Sequence, residues 1–516
     1  MVLCRGDSTI PRLTAACIVS ALLIGHSSAH DFFQIQVVDE ETGRGVPLVE
    51  VTTVNGIRHW TDSAGIVAFH EPGLMNRDVF FSIKSHGYEF PKDGFGFRGK
   101  PLKTTPGDHA VLRIRRLNIA ERLYRVTGEG IYRDSVLLGQ PVPLREPLLN
   151  GQVLGSDSVQ TAVFRNRIYW FWGDTNRPGY PLGNFKVPGA TSLLPGDGGL
   201  DPERGINLDY FTDEHGFAKK TIPWKGTGPT WISGLVTISD SGNEQLFAHY
   251  QDIQGGGMSF KASGQGLAEF NDEAKIFRRV AEFPMDGPFP EGAHSLMLDE
   301  EGETYIYFCT PYPLVRVRAT RDALADLSQY EAYTCLRQGT RRDDCQIDRD
   351  DAGRVRWNWK RDTDTIGPQD QERLIKRKVL DREDAALTLR DAETGDVVVA
   401  HRGTVAYNDF RKRWIMIFCQ IGGTSPLGEI WYAEADALTG PWRHARKIVS
   451  HNRYSFYNPR HHPMFDADGG RIVYFEATYT AAFSGNPEKT PRYDYNQIMY
   501  RLNLEAPRLA NSILPN

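Results

Sequence analysis

Cysteine is scarce in this 516-residue chain, with six in all, and two of them, Cys4 and Cys17, fall within the first 30 residues. No Cys-x-x-Cys pair and no Cys/His cluster is present, which excludes a structural zinc site. Cys335 and Cys345 flank a polar stretch and could pair in an oxidising compartment. Cys309 and Cys419 end equivalent strand-like segments and read as small buried apolar residues. Positive charge is not in excess either. Lys and Arg number 60 against 65 Asp and Glu, a net charge of −5, which gives no footprint for nucleic acid. Beyond the first 30 residues no segment approaches 18 apolar residues, so none reads as membrane-spanning. No calcium-loop motif occurs, which leaves an axial calcium ion without sequence support, and no cofactor is expected.

Glycine, proline and aromatic residues are what the chain does have: 50 Gly, 30 Pro and 11% Phe, Trp and Tyr. That balance fits many short strands and turns better than helices. Arg5 and Arg12 precede an apolar run over 15–24, followed by Ser27-Ser28-Ala29. This pattern reads as a signal peptide over 1–29, with an uncleaved anchor as the alternative. The mature chain is then expected to be exported, secreted or periplasmic, soluble, monomeric and free of the membrane.

Residues 31–118 alternate apolar and polar positions between turn signals at Thr42-Gly43 and Thr61-Asp62-Ser63-Ala64-Gly65. A β-sandwich is expected here, completed by VFFSIKSHGYEF and HAVLRIRRL. Residues 119–150, rich in Pro, Leu and Arg, read as a linker. From there one phrase recurs: a polar turn, a short strand, a tight turn and a strongly aromatic strand. It appears as SDSVQTAVFRNRIYWFWGDT (156–175), WISGLVTISDSGNEQLFAHYQD (231–252), AHSLMLDEEGETYIYFCT (293–310), RGTVAYNDFRKRWIMIFCQ (402–420) and HHPMFDADGGRIVYFEAT (461–478). Repeated antiparallel hairpins without helices predict an all-β fold, a sandwich followed by a five-bladed β-propeller over 151–510. The charged stretch at about 337–400 reads as an insertion over one face, with a short hairpin at LTLRDAETGDVVVAH.

In each blade the start of the first strand and the end of the second lie at one end. Asp157 and Asp174 are therefore expected to face each other across the first hairpin. The same rule brings Trp231, with His249 or Gln251, from the second repeat, and Glu291 and His294 from the third. Arg402 and Gln420 come from the fourth, and Asn458, Arg460, His461, His462 and Glu476 from the fifth. Arg492, Tyr493 and Asp494 precede a closing strand. Of the adjacent histidines, His461 is expected at the mouth and His462 in the packing. Glu476 is expected to face the blade interior beside an Arg.

Carboxylates, His, Arg and aromatic rings gathered at one mouth suit carbohydrate chemistry. Glycosidic cleavage needs one group to protonate the leaving oxygen and one carboxylate to activate water or attack carbon. Like charges held close raise one pKa and keep an acid protonated near neutral pH.

Two resemblances sharpen this reading. Residues 31–118 resemble the carboxypeptidase regulatory-like, or transthyretin-like, sandwich, which implies an accessory role. The region 150–510, through SDSVQTAVFRNRIYWFWGDT and the blade count, is similar to the five-bladed propeller glycosidases of the arabinanase, xylosidase and anhydrogalactosidase type. That similarity implies a base or nucleophile at Asp157, with Asp174 as its partner, and an acid at Glu291 or His294. The second repeat departs from the pattern: Ser-Gly-Leu follows Trp231-Ile232 where many such enzymes carry an Asp that orients the acid. The implied activity is an exported glycoside hydrolase acting on a carbohydrate substrate, with Trp231, Arg402, Gln420, Asn458, Arg460, His461 and Tyr493 holding it. A polysaccharide lyase is the second reading, favoured by His461, Tyr493, Arg402 and Arg460. A non-enzymatic carbohydrate- or protein-binding propeller at the cell envelope is the third.

Overall fold

The computed structural model describes residues 31–226, 228–240, 242–255, 260–490 and 492–510, so the expected signal peptide lies outside the described residues. In Phe33–Asp39 the side chains of Phe33, Ile35 and Val37 are buried, and in Asp78–Lys84 those of Val79, Phe81 and Ile83. Period-two burial gives each strand one apolar face. One four-stranded sheet orders Ile66–Phe69, Phe33–Asp39, His109–Arg116 and Tyr88–Glu89; another orders Arg58–Trp60, Glu50–Thr53, Asp78–Lys84 and Gly99–Lys103. Their apolar faces meet in one core that includes Ile35, Val51, Phe69, Phe81 and Leu112.

Five sheets of four or five strands then follow one another. Their first strands are Gln160–Phe164, Thr230–Asp240, His294–Glu300, Ala400–Asn408 and Ser455–His461. The first four each pack against the first strand of the next sheet, and Arg460 of the last bonds to Thr161 of the first, so they form the inner wall of a propeller. The second strands explain the aromatic half of the repeated phrase. In Arg167–Phe171 the last four residues are buried, and in Ile472–Thr480 every residue is. A strand covered on both faces by neighbouring sheets reads as a continuous apolar run, not an alternation.

Three expectations need correction. The segment over 119–150 supplies more than a linker: Glu121–Arg125, all five residues buried, pairs with Asn496–Asn503 as the outer strand of the fifth sheet. A strand from ahead of the first sheet thereby completes the last one. The charged stretch over 337–400 does more than insert over one face, since it also supplies strands to two sheets. Asn358–Arg361 extends the outer edge of the third sheet, and Leu387–Asp391 pairs in parallel with Trp442–Val449 at the outer edge of the fourth. Covering exposed edges is the physical gain. Cys335 and Cys345 are free thiols, Cys335 buried beside Leu336, Ile366 and Leu374 in the small core of this insertion. Among the described residues no helix is long and apolar enough to cross a membrane.

Candidate active site

The inner strands are irregular where they enter the mouth. Register breaks fall between Ser233 and Val236, between Ala400 and Gly403, and between Tyr457 and Arg460. Bulges at a rim re-aim side chains that a regular strand would send elsewhere. Residues from all five sheets line a cleft of about 390 Å³ here.

Asp157 lies just ahead of the first inner strand, and Asp174 just after its hairpin partner. The Asp157 amide donates to the Asp174 carbonyl at 3.1 Å, and the Gly173 amide to the Asp157 carbonyl at 2.8 Å. The Asp174 amide also donates to Asp157 Oδ1 at 2.8 Å, while the Tyr457 hydroxyl donates to Asp157 Oδ2 at 2.7 Å. Gly173 makes room for this arrangement, since a Cβ there would sit 2.2 Å from Asp157 Oδ1. Burial pushes both carboxyls above the usual carboxylate range, and the nearby Asp174 pushes Asp157 further. Two such groups titrate as a unit and share a proton near neutral pH.

Across the cleft, Glu291 and His294 come from the third sheet and its approach loop. Glu291 is 63% exposed at its side chain and pairs with Arg402 at 3.5 Å. Gly292, at φ +61°, lies beneath that arginine; a Cβ on it would meet Arg402 Cζ at 2.4 Å. His294 is 3% exposed, and burial, with Arg460, His462 and Arg402 nearby, holds its pKa well below the ordinary value. It therefore stands as a neutral imidazole, not as the protonated acid that the sequence reading entertained. His401 is similar: burial, then Arg402, push it down to about 3.

The remaining wall is largely aromatic. Trp231 meets Phe260 edge-on at 5.6 Å between centroids, Tyr457 meets Phe483 edge-on at 5.9 Å, and Trp172 and Tyr495 complete the lining. Phe260 and Phe483 remain over 40% exposed, an arrangement suited to stacking on the apolar face of a sugar. Among the described residues no group of three or more His, Cys, Asp or Glu is arranged to hold a metal ion.

Of the residues read from sequence, Asp157, Asp174, Trp231, Glu291, His294, Arg402 and Asn458 line this cleft, as does Gln251. Four others do not. Gln420 Oε1 accepts from Trp431 Nε1 at 2.9 Å and is held inside the fourth sheet. Arg460 is buried and donates at 3.2 Å to the hydroxyl and to the carbonyl of Thr161 on the first inner strand. His461 ends its strand instead of starting it, and its Nε2 lies 2.9 Å from Asp466 Oδ1 near the hairpin turn, the end away from the mouth. Tyr493 stacks under Arg125, whose Cζ lies 3.4 Å from the ring centroid, and its hydroxyl donates to Gly130. His249 is likewise buried, with Nε2 2.7 Å from the Tyr330 hydroxyl. His462 and Glu476 are fully buried and meet at 3.0 Å, and Arg460 faces Glu476 across the ladder. Burial, against the opposing pull of Arg460, pushes Glu476 up to about 8. Asp494 Oδ1 accepts from the hydroxyls of Thr480 and Thr490, the contacts of a turn residue.

Sequence reasoning missed Tyr457, Tyr495, His401, Phe260 and Phe483. Tyr457, His401 and Tyr495 each sat beside a residue already singled out, Asn458, Arg402 and Asp494.

No protein-family model and no curated sequence matches this chain. Solved structures do align. An exo-1,5-α-L-arabinanase from a bovine ruminal metagenomic library shares 11% identity, covering 68% of this chain and 94% of its own, at a TM-score of 0.34. An exo-β-1,3-galactanase from Phanerochaete chrysosporium shares 10%, covering 75% and 65%, at 0.36. A β-xylosidase/α-arabinofuranosidase from a compost microbial metagenome shares 14%, covering 68% and 92%, at 0.31. At these scores the likeness assigns no chemistry, which has to be read from the cleft.

Proposed function

We propose that this protein is a glycoside hydrolase that is exported and cleaves a polysaccharide or its oligosaccharides at the propeller mouth. One observation carries the reading: two neighbouring carboxyls, both raised by burial, at the base of a cleft walled by aromatic rings. In that reading Asp157 supplies the basic carboxylate, acting on water or on the anomeric carbon. Glu291, from another sheet, is the group that protonates the leaving oxygen, with Arg402 holding it in place. His294, neutral and buried, can hydrogen-bond a sugar hydroxyl. Trp231 and Phe260 offer the sugar its platform. The leader read over 1–29 supports export.

The lyase reading loses support, because His461, Tyr493 and Arg460 lie away from the cleft lining and Arg402 is left alone. Incubating the protein with a panel of glycans tests the proposal. New reducing ends without an ultraviolet-absorbing unsaturated uronate mean hydrolysis. The unsaturated product would mean a lyase, and neither product a binding protein.

A further inference from the structure

The last inner strand is built in an unusual way. Its register breaks between Tyr457 and Arg460, Asn458 adopts φ +47°, and Pro459 follows. Proline in an inner strand is tolerated at such a bulge, where no ladder donor is needed. The bulge sends two consecutive side chains across the seam between the fifth and first sheets. The Tyr457 hydroxyl donates to Asp157 Oδ2 at 2.7 Å, and Asn458 Nδ2 donates to the Ser158 hydroxyl. The Asp157–Ser158 corner, with Ser158 at φ +51°, is thereby gripped from 300 residues away.

The grip is asymmetric across the carboxyl pair. Asp157 receives the tyrosine hydroxyl on one oxygen and the Asp174 amide on the other. Asp174 Oδ1 is buried and has no hydrogen-bond partner among the described residues. Donors aimed at a carboxylate favour its charged form, and a buried oxygen without donors favours the neutral one. We infer that Tyr457 is a positioning residue: it fixes the orientation of Asp157 and, by donating to Oδ2, favours its charged form against the burial that opposes it. This inference rests on the glycosidase reading for its role in turnover, though not for the contact itself. The other titratable and charged groups facing the pair are Tyr495 of the fifth sheet, with Asp494 beside it, Glu291 and His294 of the third, and His401 and Arg402 of the fourth. Tyr495 rests against the Tyr457 hydroxyl and shares its field.

Tyr457→Phe removes one oxygen and keeps the ring that packs on Phe483. The first readout is the carboxyl titration of Asp157, followed by 13C NMR in the full chain labelled at aspartate Cγ. Asp174→Asn serves as background, so that Asp157 is the only acid of the pair. Adding Tyr457→Phe is expected to raise the Asp157 titration by about one pH unit, a tenfold change in its proton affinity. Tyr495→Phe should move it less. In the otherwise native protein, Tyr457→Phe is expected to shift the acidic limb of kcat/KM upward by a similar amount, with activity recovering at higher pH. An unmoved titration and an activity loss that is flat with pH would overturn the inference. If the titration moves but no glycan is hydrolysed by the unsubstituted protein, the contact stands and the glycosidase reading is what fails.

Discussion

Tyr457 and Asp157 stand 300 residues apart in the chain, and their side chains meet at 2.7 Å. The contact joins the last inner strand to the corner that opens the first. Arg460 and Thr161 repeat the link deeper along the same two strands. Closing the ring of sheets therefore adds the tyrosine hydroxyl to a carboxyl pair that the first hairpin already holds together. Residues with no local relation become neighbours only when the fifth sheet docks on the first.

The carboxyl pair should leave a mark on stability. Burial raises both groups in the folded protein above their values in the unfolded chain. The folded state thus binds more protons over that window, and stability falls as pH rises through it. Asp174→Asn removes one of the two buried charges. Its melting temperature should draw level with or exceed that of the unsubstituted protein as pH rises from about 5 to about 9, a gain of the order of 1–3 kcal/mol at the alkaline end. Thermal melts across that range check it. A difference independent of pH would mean the pair is not raised.

Gly173 should be intolerant of even one carbon. A Cβ would fall 2.2 Å from Asp157 Oδ1, so Gly173→Ala must rotate the carboxylate away from Tyr457 and the Asp174 amide. Turnover is expected to fall by about 10²-fold, the cost of misplacing a reacting group by about 1 Å. Melting should change little. Steady-state kinetics beside a thermal melt separate the two.

Glu291 as the proton donor predicts a dependence on the leaving group. Glu291→Gln should lose about 10²–10⁴-fold on unactivated glycosides, and far less on aryl glycosides whose phenolate leaves unprotonated. Equal losses on both substrate types would assign the proton to another group.

The aromatic wall should contribute to binding more than to chemistry. Trp231→Ala removes one platform of the Trp231–Phe260 pair. An increase of about tenfold in KM, with kcat largely kept, is expected for a loss near 1.4 kcal/mol. Calorimetric titration of an oligosaccharide reads the same change directly.

The hairpin phrase made the all-β architecture legible, because a strand buried on both faces must be apolar and a rim turn must be polar. The Asp157–Asp174 juxtaposition followed from the same geometry, since both residues belong to one hairpin. Long-range pairing left no such trace. Glu121–Arg125 belongs to the fifth sheet through partners at the far end of the chain, and no local pattern announces that. Read from His461, the fifth repeat opens at the residue where the strand actually ends. A shift along a strand exchanges faces and ends. His461 therefore lies at the end away from the mouth, and Tyr457, at the other side of the bulge, lines it.

The central claim, that the carboxyl pair performs glycosidic hydrolysis, is met most directly by comparing the unsubstituted protein with Asp157→Asn on the same glycan. Reducing-end release and calorimetric binding are measured together. The expected result is release by the unsubstituted protein, a fall of about 10³-fold or more in the variant, and oligosaccharide binding retained by both. No release from any glycan, with binding lost in the variant, would contradict the claim and leave a binding propeller in its place.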